Sequence, residues 1–249
     1  MDYSQGVAPY YDLFGVPGAP GARNAAADFL APLVAEGQTL LDIGAGTGST
    51  ALALAERGVH VTALEPDAEM MAALLVRLAA RPDVAERVTP VPHASGFAFG
   101  ERFHRCLCWS VLHLLPEAAQ EQLVRYARAM LAGGGLFVLD APVQTATRTE
   151  LPWHVVATRR LGRLVVEHHR AMRPEGDGNW TTHWIFKRTL EGGPALPDVE
   201  RVFHWRPLAP QRLDALLADA GFEVLEEYAG PERTPFVAGD SGTRLVVAR

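Results

Sequence analysis

TLLDIGAGTGS, residues 39–49, joins a β-rich apolar run to a helical pattern through three glycines. Glycine permits a tight turn and lets a ligand approach the backbone, and the N–H groups of a helix start donate to a polar or anionic ligand. Here the run ends at Gly44, Gly46 and Gly48 follow, and the helix begins at Ser49. A second run, VHVTAL at 59–64, delivers Glu65 to the carboxyl edge of the neighbouring strand, 21 residues after Gly44. A carboxylate at that edge can accept both hydroxyls of a ribose. Strand, glycine loop, helix, strand and acid in this order point to a nucleoside-containing cofactor. The plainer alternative is a tight turn with Glu65 as a solvated strand end.

Working outward, the same rhythm continues through VTPV at 88–91, RCLCW at 105–109, a helical pattern from Glu117 to Leu131 and LFVLD at 136–140. Short apolar strands alternating with helices imply a parallel sheet covered on both faces. After Pro142 the rhythm changes. Thr149 to Arg160 reads as a helix, followed by strand-like runs at 163–172, 180–190 and 199–205 that are separated by RPEGDG and EGGPALP. A helix from Ala209 to Ala220 then precedes a closing pair, FEVLEEY and TRLVVAR. The expectation is an α/β, Rossmann-like, doubly wound seven-stranded sheet with an antiparallel β-meander inserted before the last helix. One domain spans 1–249: a helical cap at 1–38, a cofactor-binding core at 39–142 and 208–249, and a substrate-side meander at 143–207.

Composition narrows the function. The 249 residues are 48% hydrophobic and 21% charged, the balance of a folded domain with a sizeable core. A formal charge of −6 without a Lys/Arg cluster disfavours nucleic acid and anionic membranes as partners, so a neutral or cationic small acceptor fits better. MDYSQGVAPYYDLFG lacks the start of a signal peptide, and no apolar run reaches the roughly 20 residues of a membrane span. The expected setting is the cytoplasm, as a monomer or homodimer. Cys106 and Cys108 alternate on one strand face and read as buried apolar residues.

Two nucleoside cofactors must be separated. A dinucleotide fingerprint wants G-x-G-x-x-G/A around a pyrophosphate. This loop is G-x-G-x-G with Ser49 at the next position, and Asp42 before it would oppose a pyrophosphate but suit an ammonium group. S-adenosylmethionine, which has an amino acid end, a ribose and no phosphate, fits that charge pattern.

DIGAGTG (42–48), ALEPDAEMM (63–71), FHRCLCWSVLHLLP (103–116) and AGGGLFVLD (132–140) resemble, in order, the motifs of class I S-adenosylmethionine-dependent methyltransferases. APYYDLFG (8–15), the meander and ADAGFEVLEEY (218–228) resemble the small-molecule branch, including sugar N,N-dimethyltransferases and other natural-product tailoring enzymes. The resemblance implies that Asp42, Gly44, Ala45 and Gly46 line the methionine end and that Glu65 holds the ribose. Pro66 and Met70 would flank the adenine, Trp109 would join the cofactor site, and Tyr11 and Arg23 would close over it. Where the family often has an acid for the adenine amine, this chain has His93 in VTPVPHASGF, so adenine binding falls to His93, Ala94 or Ser95. The family's F-D before the fourth strand is replaced by Phe103–His104, read as a surface change.

Methyl transfer from a sulfonium is an in-line displacement in which positioning carries much of the catalysis and no covalent nucleophile is needed. A general base is useful, and His113 is the best-placed candidate, just past the carboxyl end of the fourth strand where open α/β sheets bind ligands. Its alternative is packing under the next helix. Tyr10, Ser110, His154 and Trp184 are the candidate acceptor residues. The scattered His154, His168, His169, His183 and His204 lack the spacing and companions of a metal site. No N/D-P-P-Y/F or Pro-Cys motif of DNA methyltransferases is present. The remaining readings are N- or O-methylation of a small molecule, a repurposed fold that binds the cofactor as a cyclase or scaffold, and an NAD-dependent oxidoreductase.

Overall fold

A computed structural model describes residues 6–14, 24–143, 149–239 and 242–249. The N-terminal part contributes two short helices, α1 (Ala8–Leu13) and α2 (Ala25–Leu30), the second capped by Asn24, whose side chain accepts from the Ala27 N–H. The core follows the expected order. β1 (Thr39–Ile43) leads through the glycine loop to α3 (Ser49–Ala55), and β2 (His60–Leu64) leads to α4 (Ala68–Ala79) and α5 (Pro82–Ala85). β3 (Val88–Val91), β4 (Phe103–Cys108), α6 (Glu117–Met130) and β5 (Leu131–Pro142) complete the parallel part, so Leu131 opens a strand rather than ending a helix. Beyond the insertion come α7 (Pro210–Asp219), β10 (Val224–Tyr228) and β11 (Thr243–Ala248); the four strands between are β6 (Leu151–Leu161), β7 (Leu164–Gly176), β8 (Asn179–Leu190) and β9 (Ala195–Trp205).

The seven-stranded sheet has the order β10-β11-β5-β4-β1-β2-β3. β3, β2, β1, β4 and β5 run parallel, and β11 pairs antiparallel with β5 and with β10. β1 and β2 bury every position except the first, because both of their faces meet helices. One core layer packs Leu123, Val124 and Ala127 of α6 and Leu213 and Leu217 of α7 on the sheet, and the other packs Leu54 of α3 and Leu74 and Leu78 of α4. Cys106 and Cys108 lie together in the α6 layer, fully buried, and burial pushes both thiols far above their usual range. Neither is an available nucleophile. His104 is exposed, and its Nδ1 accepts from the Thr39 N–H at 3.1 Å.

The helix expected from Thr149 to Arg160 is not formed. From Leu151 onward those residues make β6, the edge strand of an antiparallel sheet ordered β6-β7-β8-β9. Val155, Val156 and Thr158 are β-branched and favour a strand. Gly162 at φ 60° turns the chain in a two-residue hairpin loop that seats Leu161 opposite Leu164 and Arg159 opposite Val166. Pairing with β7 therefore overrides the local pattern, whose apolar residues end up exposed on the edge strand: Trp153, Val155, Val156 and Leu161. α1 fastens this second sheet to the core. Tyr10 stacks on Phe186 with ring centroids 4.9 Å apart, and Phe14 lies 5.5 Å from Phe186 and from His168. Among the described residues, no helix is long and apolar enough to cross a membrane.

Candidate active site

A cavity of about 360 Å³ opens at the carboxyl ends of β1, β2 and β4, and its walls follow from the glycine loop. Gly44 and Gly46 adopt φ 79° and 58°, the left-handed region that favours glycine. A Cβ on Gly44 would stand 2.5 Å from Val111, so the loop and the β4 end are in contact only because that side chain is missing. At Gly46 a Cβ would meet no atom within 4 Å: the backbone there faces open cavity. Gly48, the N-cap of α3 at φ 78°, tucks against Leu74, which a side chain would strike.

Glu65, only 6% exposed, ties this loop to the next. One carboxylate oxygen accepts from the Gly46 N–H at 2.7 Å and the other from the Asp67 N–H at 2.8 Å. Burial raises its pKa, and those two bonds oppose the shift. Each oxygen keeps a lone pair directed by this clamp, as a ribose diol requires. Asp67 in turn caps α4, accepting from Glu69 and Met70 N–H at 3.0 and 2.9 Å. Asp42 sits behind the loop, 3% exposed, with Oδ2 lacking any hydrogen-bond partner. Burial, and secondarily the charge of Glu65, pushes its pKa up to about 7. A buried carboxyl oxygen without a donor is a place for a ligand's ammonium group, directly or through water.

Most of the sequence-derived cofactor residues meet in this cavity. Gly44, Gly46, Glu65, Pro66 and Met70 line one wall, His93, Ala94 and Ser95 a second, and Trp109, Ser110 and Tyr11 a third. Ala45 and Asp42 support the loop from behind without lining it. Arg23 lies outside the described residues. His93 donates from Nδ1 to the Ala94 carbonyl at 2.8 Å, which leaves Nε2 as an acceptor.

The acceptor candidates are more dispersed. Ser110 lines the cavity; Tyr10, Trp184, His154 and His113 do not. Tyr10 packs on the meander, and its hydroxyl accepts from Arg188 at 3.1 Å. Trp184 reaches the site through Tyr11, whose ring is 6.0 Å away. His154 lies on β6, with Nδ1 donating to the Pro152 carbonyl at 3.0 Å. His113 occupies a 3-10 turn between the lining residues Val111 and Leu114, its ring edge-on to Trp205 at 6.0 Å. Among the described residues, no three His, Cys, Asp or Glu side chains form a metal-binding group.

Two features escaped sequence reasoning. Asp140, at the carboxyl end of β5 and 7% exposed, accepts from the Ser110 N–H and, at 3.4 Å, from its hydroxyl. That bond holds Ser110 at φ 57°, a left-handed conformation that costs a non-glycine residue energy. Burial pushes Asp140 up to about 6, against the two Ser110 bonds. LFVLD ends on an acid as TLLD and VTALE do, and that shared position was the available signal. Asp12 of α1 accepts from the Thr47 hydroxyl at 2.6 Å and pairs with Arg77 at 3.0 Å, while the Gly6 N–H bonds Glu69 at 3.0 Å. These long-range contacts strap α1 across the cavity mouth, and nothing local in the sequence announces them.

Residues 41–137 match the family described as a methyltransferase domain. No curated protein sequence matches the chain. The solved structure of the CcbJ methyltransferase from Streptomyces caelestis is 28% identical, with a TM-score of 0.78 over 100% of this chain and 98% of that one. S-adenosylmethionine-bound CalS10, an amino pentose methyltransferase from Micromonospora echinaspora involved in calicheamicin biosynthesis, is 23% identical, covers 100% and 97%, and has a TM-score of 0.69. The glycopeptide N-methyltransferase MtfA, in complex with S-adenosylmethionine, is 26% identical, covers 90% and 92%, and has a TM-score of 0.57.

Proposed function

From the premise that this chain is a methyltransferase with S-adenosylmethionine as cofactor, we propose that it methylates an amine nitrogen of a natural-product small molecule. The observation that carries the reading is the cavity at the glycine loop, where Glu65 presents two oriented oxygens and Asp42 lies buried behind the loop with one oxygen unpartnered. Nitrogen is favoured over oxygen by the likeness to the glycopeptide N-methyltransferase MtfA. The cytoplasmic setting and the single-domain organisation read from the sequence stay part of this proposal.

Bound in the cavity, S-adenosylmethionine supplies an electrophilic methyl group. In this proposal Asp42 and the Gly44–Gly46 backbone hold the amino acid end, Glu65 the ribose, and Pro66 and Met70 the faces of the adenine. The free Nε2 of His93 accepts from the adenine amine, replacing the acid that sequence resemblance led one to expect. Tyr11 closes the mouth, held by the Asp12–Thr47 and Asp12–Arg77 contacts. Excluding water and orienting the amine lone pair toward the methyl carbon is the principal contribution, since displacement needs no covalent partner. His113, one residue from the cavity wall, takes up the proton of an acceptor that arrives charged.

Incubation with S-adenosylmethionine and a panel of amine and phenol metabolites, followed by mass spectrometry, tests this function. The expected result is S-adenosylhomocysteine together with a gain of one methyl group on amines. A gain on phenols alone overturns the nitrogen assignment, and cofactor binding without turnover on any acceptor favours a scaffold.

A further inference from the structure

One face of the meander carries a row of side chains without a carboxylate. His154, Arg170, Trp184 and Arg201 stand directly opposite one another across β6, β7, β8 and β9. Directly opposed residues share a face with Cβ atoms roughly 5 Å apart, so these side chains form one row. The next row, with His168 and Phe186, is the one on which Phe14 and Tyr10 of α1 pack, and Trp184 is the neighbour of Tyr11. The row therefore meets the cofactor cavity through Trp184 and the lining residue Tyr11.

Two of its donors lack an acceptor. Arg170 Nε and Trp184 Nε1 are buried, and neither has a hydrogen-bond partner; Arg170 makes no ion pair with a described carboxylate. The other arginines of this face are engaged: Arg159 lies over Phe14, Arg201 over Phe203, and Arg188 bonds Tyr10 and the Pro197 carbonyl. His168, 3% exposed with both ring nitrogens unpartnered, is held neutral by burial and by the adjacent Arg170 charge, its pKa lowered to about 4. It supplies neither a counter-charge nor a second cation.

A partly buried guanidinium with an idle Nε–H is costly unless a ligand completes it, and its planar fork matches carboxylate or phosphate oxygens. We infer that the acceptor carries an anionic group, a carboxylate or a phosphate, bound by Arg170 and the Trp184 indole N–H while its amine faces the cofactor. This narrows the acceptor from the neutral or cationic molecule that net charge alone suggested to a zwitterion or an acidic amine. It rests on the reading of the chain as a small-molecule methyltransferase.

Two-dimensional ¹⁵N NMR of arginine Nε–H and tryptophan indole resonances tests the inference, with sodium acetate and inorganic phosphate as separate probes at constant ionic strength. Saturable shifts of the Arg170 and Trp184 peaks are expected, with unchanged Trp109; whichever probe binds more tightly identifies the class of anion. Arg170→Gln should abolish the Trp184 shift, and Arg170→Lys, which keeps the charge and preserves the fold if Gln does not, should weaken binding about 10-fold or more. A Trp184 peak that stays still in both probes, or moves equally in Arg170→Gln, overturns the site, as does an equal shift at the solvent-exposed Arg57. Titration with S-adenosylhomocysteine separately reads Trp109, so loss of cofactor binding would overturn the methyltransferase reading while leaving the anion result to stand or fall alone.

Discussion

Glu65→Ala separates a cofactor ligand from a loop clamp. In the folded chain the carboxylate receives the N–H groups of Gly46 and Asp67 at 2.7 and 2.8 Å. Bonds to a charged acceptor contribute about 1.5–3 kcal/mol each. Against them stands the cost of burying the carboxylate, visible in its raised pKa, so a net loss of about 2–4 kcal/mol is expected. For a chain of this size that is a fall in Tm of about 5–15 °C. Removal of the ribose acceptor should further weaken S-adenosylhomocysteine by about 10- to 150-fold, the equivalent of one charge-assisted contact. Calorimetric titration and thermal melts on the same preparations read the two effects. A lower Tm with unchanged affinity would refute the ribose assignment and leave Glu65 as a clamp alone; unchanged values of both would refute the geometry.

Asp42 titrates in the folded chain near pH 7, above the ordinary value of 3.8. Its raised pKa means that stability is present below pH 3.8 and is lost as pH rises to about 7, so Asp42→Asn should gain in Tm over the wild type across that window. The same variant should bind S-adenosylhomocysteine more weakly and without the rise in affinity through about pH 7 expected of the wild type; a flat wild-type profile would refute an ammonium contact. Asp140→Ala should free Ser110 from its left-handed conformation and raise KM for cofactor or acceptor, with Ser110→Gly restoring part of it; no rescue by Ser110→Gly would place the effect elsewhere. His113→Ala should reduce turnover about 10²- to 10⁴-fold at neutral pH and converge on the wild type as pH passes the acceptor's pKa, whereas near-normal turnover at every pH would remove His113 as proton acceptor.

The parallel core was legible because each of its signals is local. An apolar run buried on both faces, a glycine that must hold φ 79°, and an acid capping α4 all act within a few residues. The same locality exposed Glu65 and Asp42. The meander was harder: LPWHVVATRRL has apolar residues at helix-compatible spacing, and only the register with β7, fixed by the Gly162 turn, makes it a strand. Asp140 escaped for a related reason. Its importance lies in a bond to Ser110, 30 residues away, and in that residue's unusual backbone. The α1 strap likewise depends on partners 35 and 63 residues distant. Local chemistry is therefore visible in sequence, while tertiary pairing is not.

The charges across the mouth bear on how acceptor and chemistry are coupled. On the core side, Asp42, Glu65 and Asp140 lie at the carboxyl ends of parallel strands, and burial raises the pKa of all three, so this edge of the sheet holds negative charge reluctantly. A cationic cofactor lowers that cost by pairing with them. In the proposed transfer to an amine, positive charge would leave the sulfur and develop on nitrogen, which the inferred anion site would set beside the meander. There Arg170 would oppose it, since like charges in a partly dry site repel strongly. An anionic group seated on Arg170 reverses the sign of that interaction and stabilises the developing ammonium. The inferred anion therefore both anchors the acceptor and neutralises the guanidinium that would otherwise slow transfer. It follows that Arg170→Gln should lower kcat/KM less for an amine whose acid group is masked as a methyl ester than for the free acid, and an equal loss on both would show that Arg170 does not read the anion.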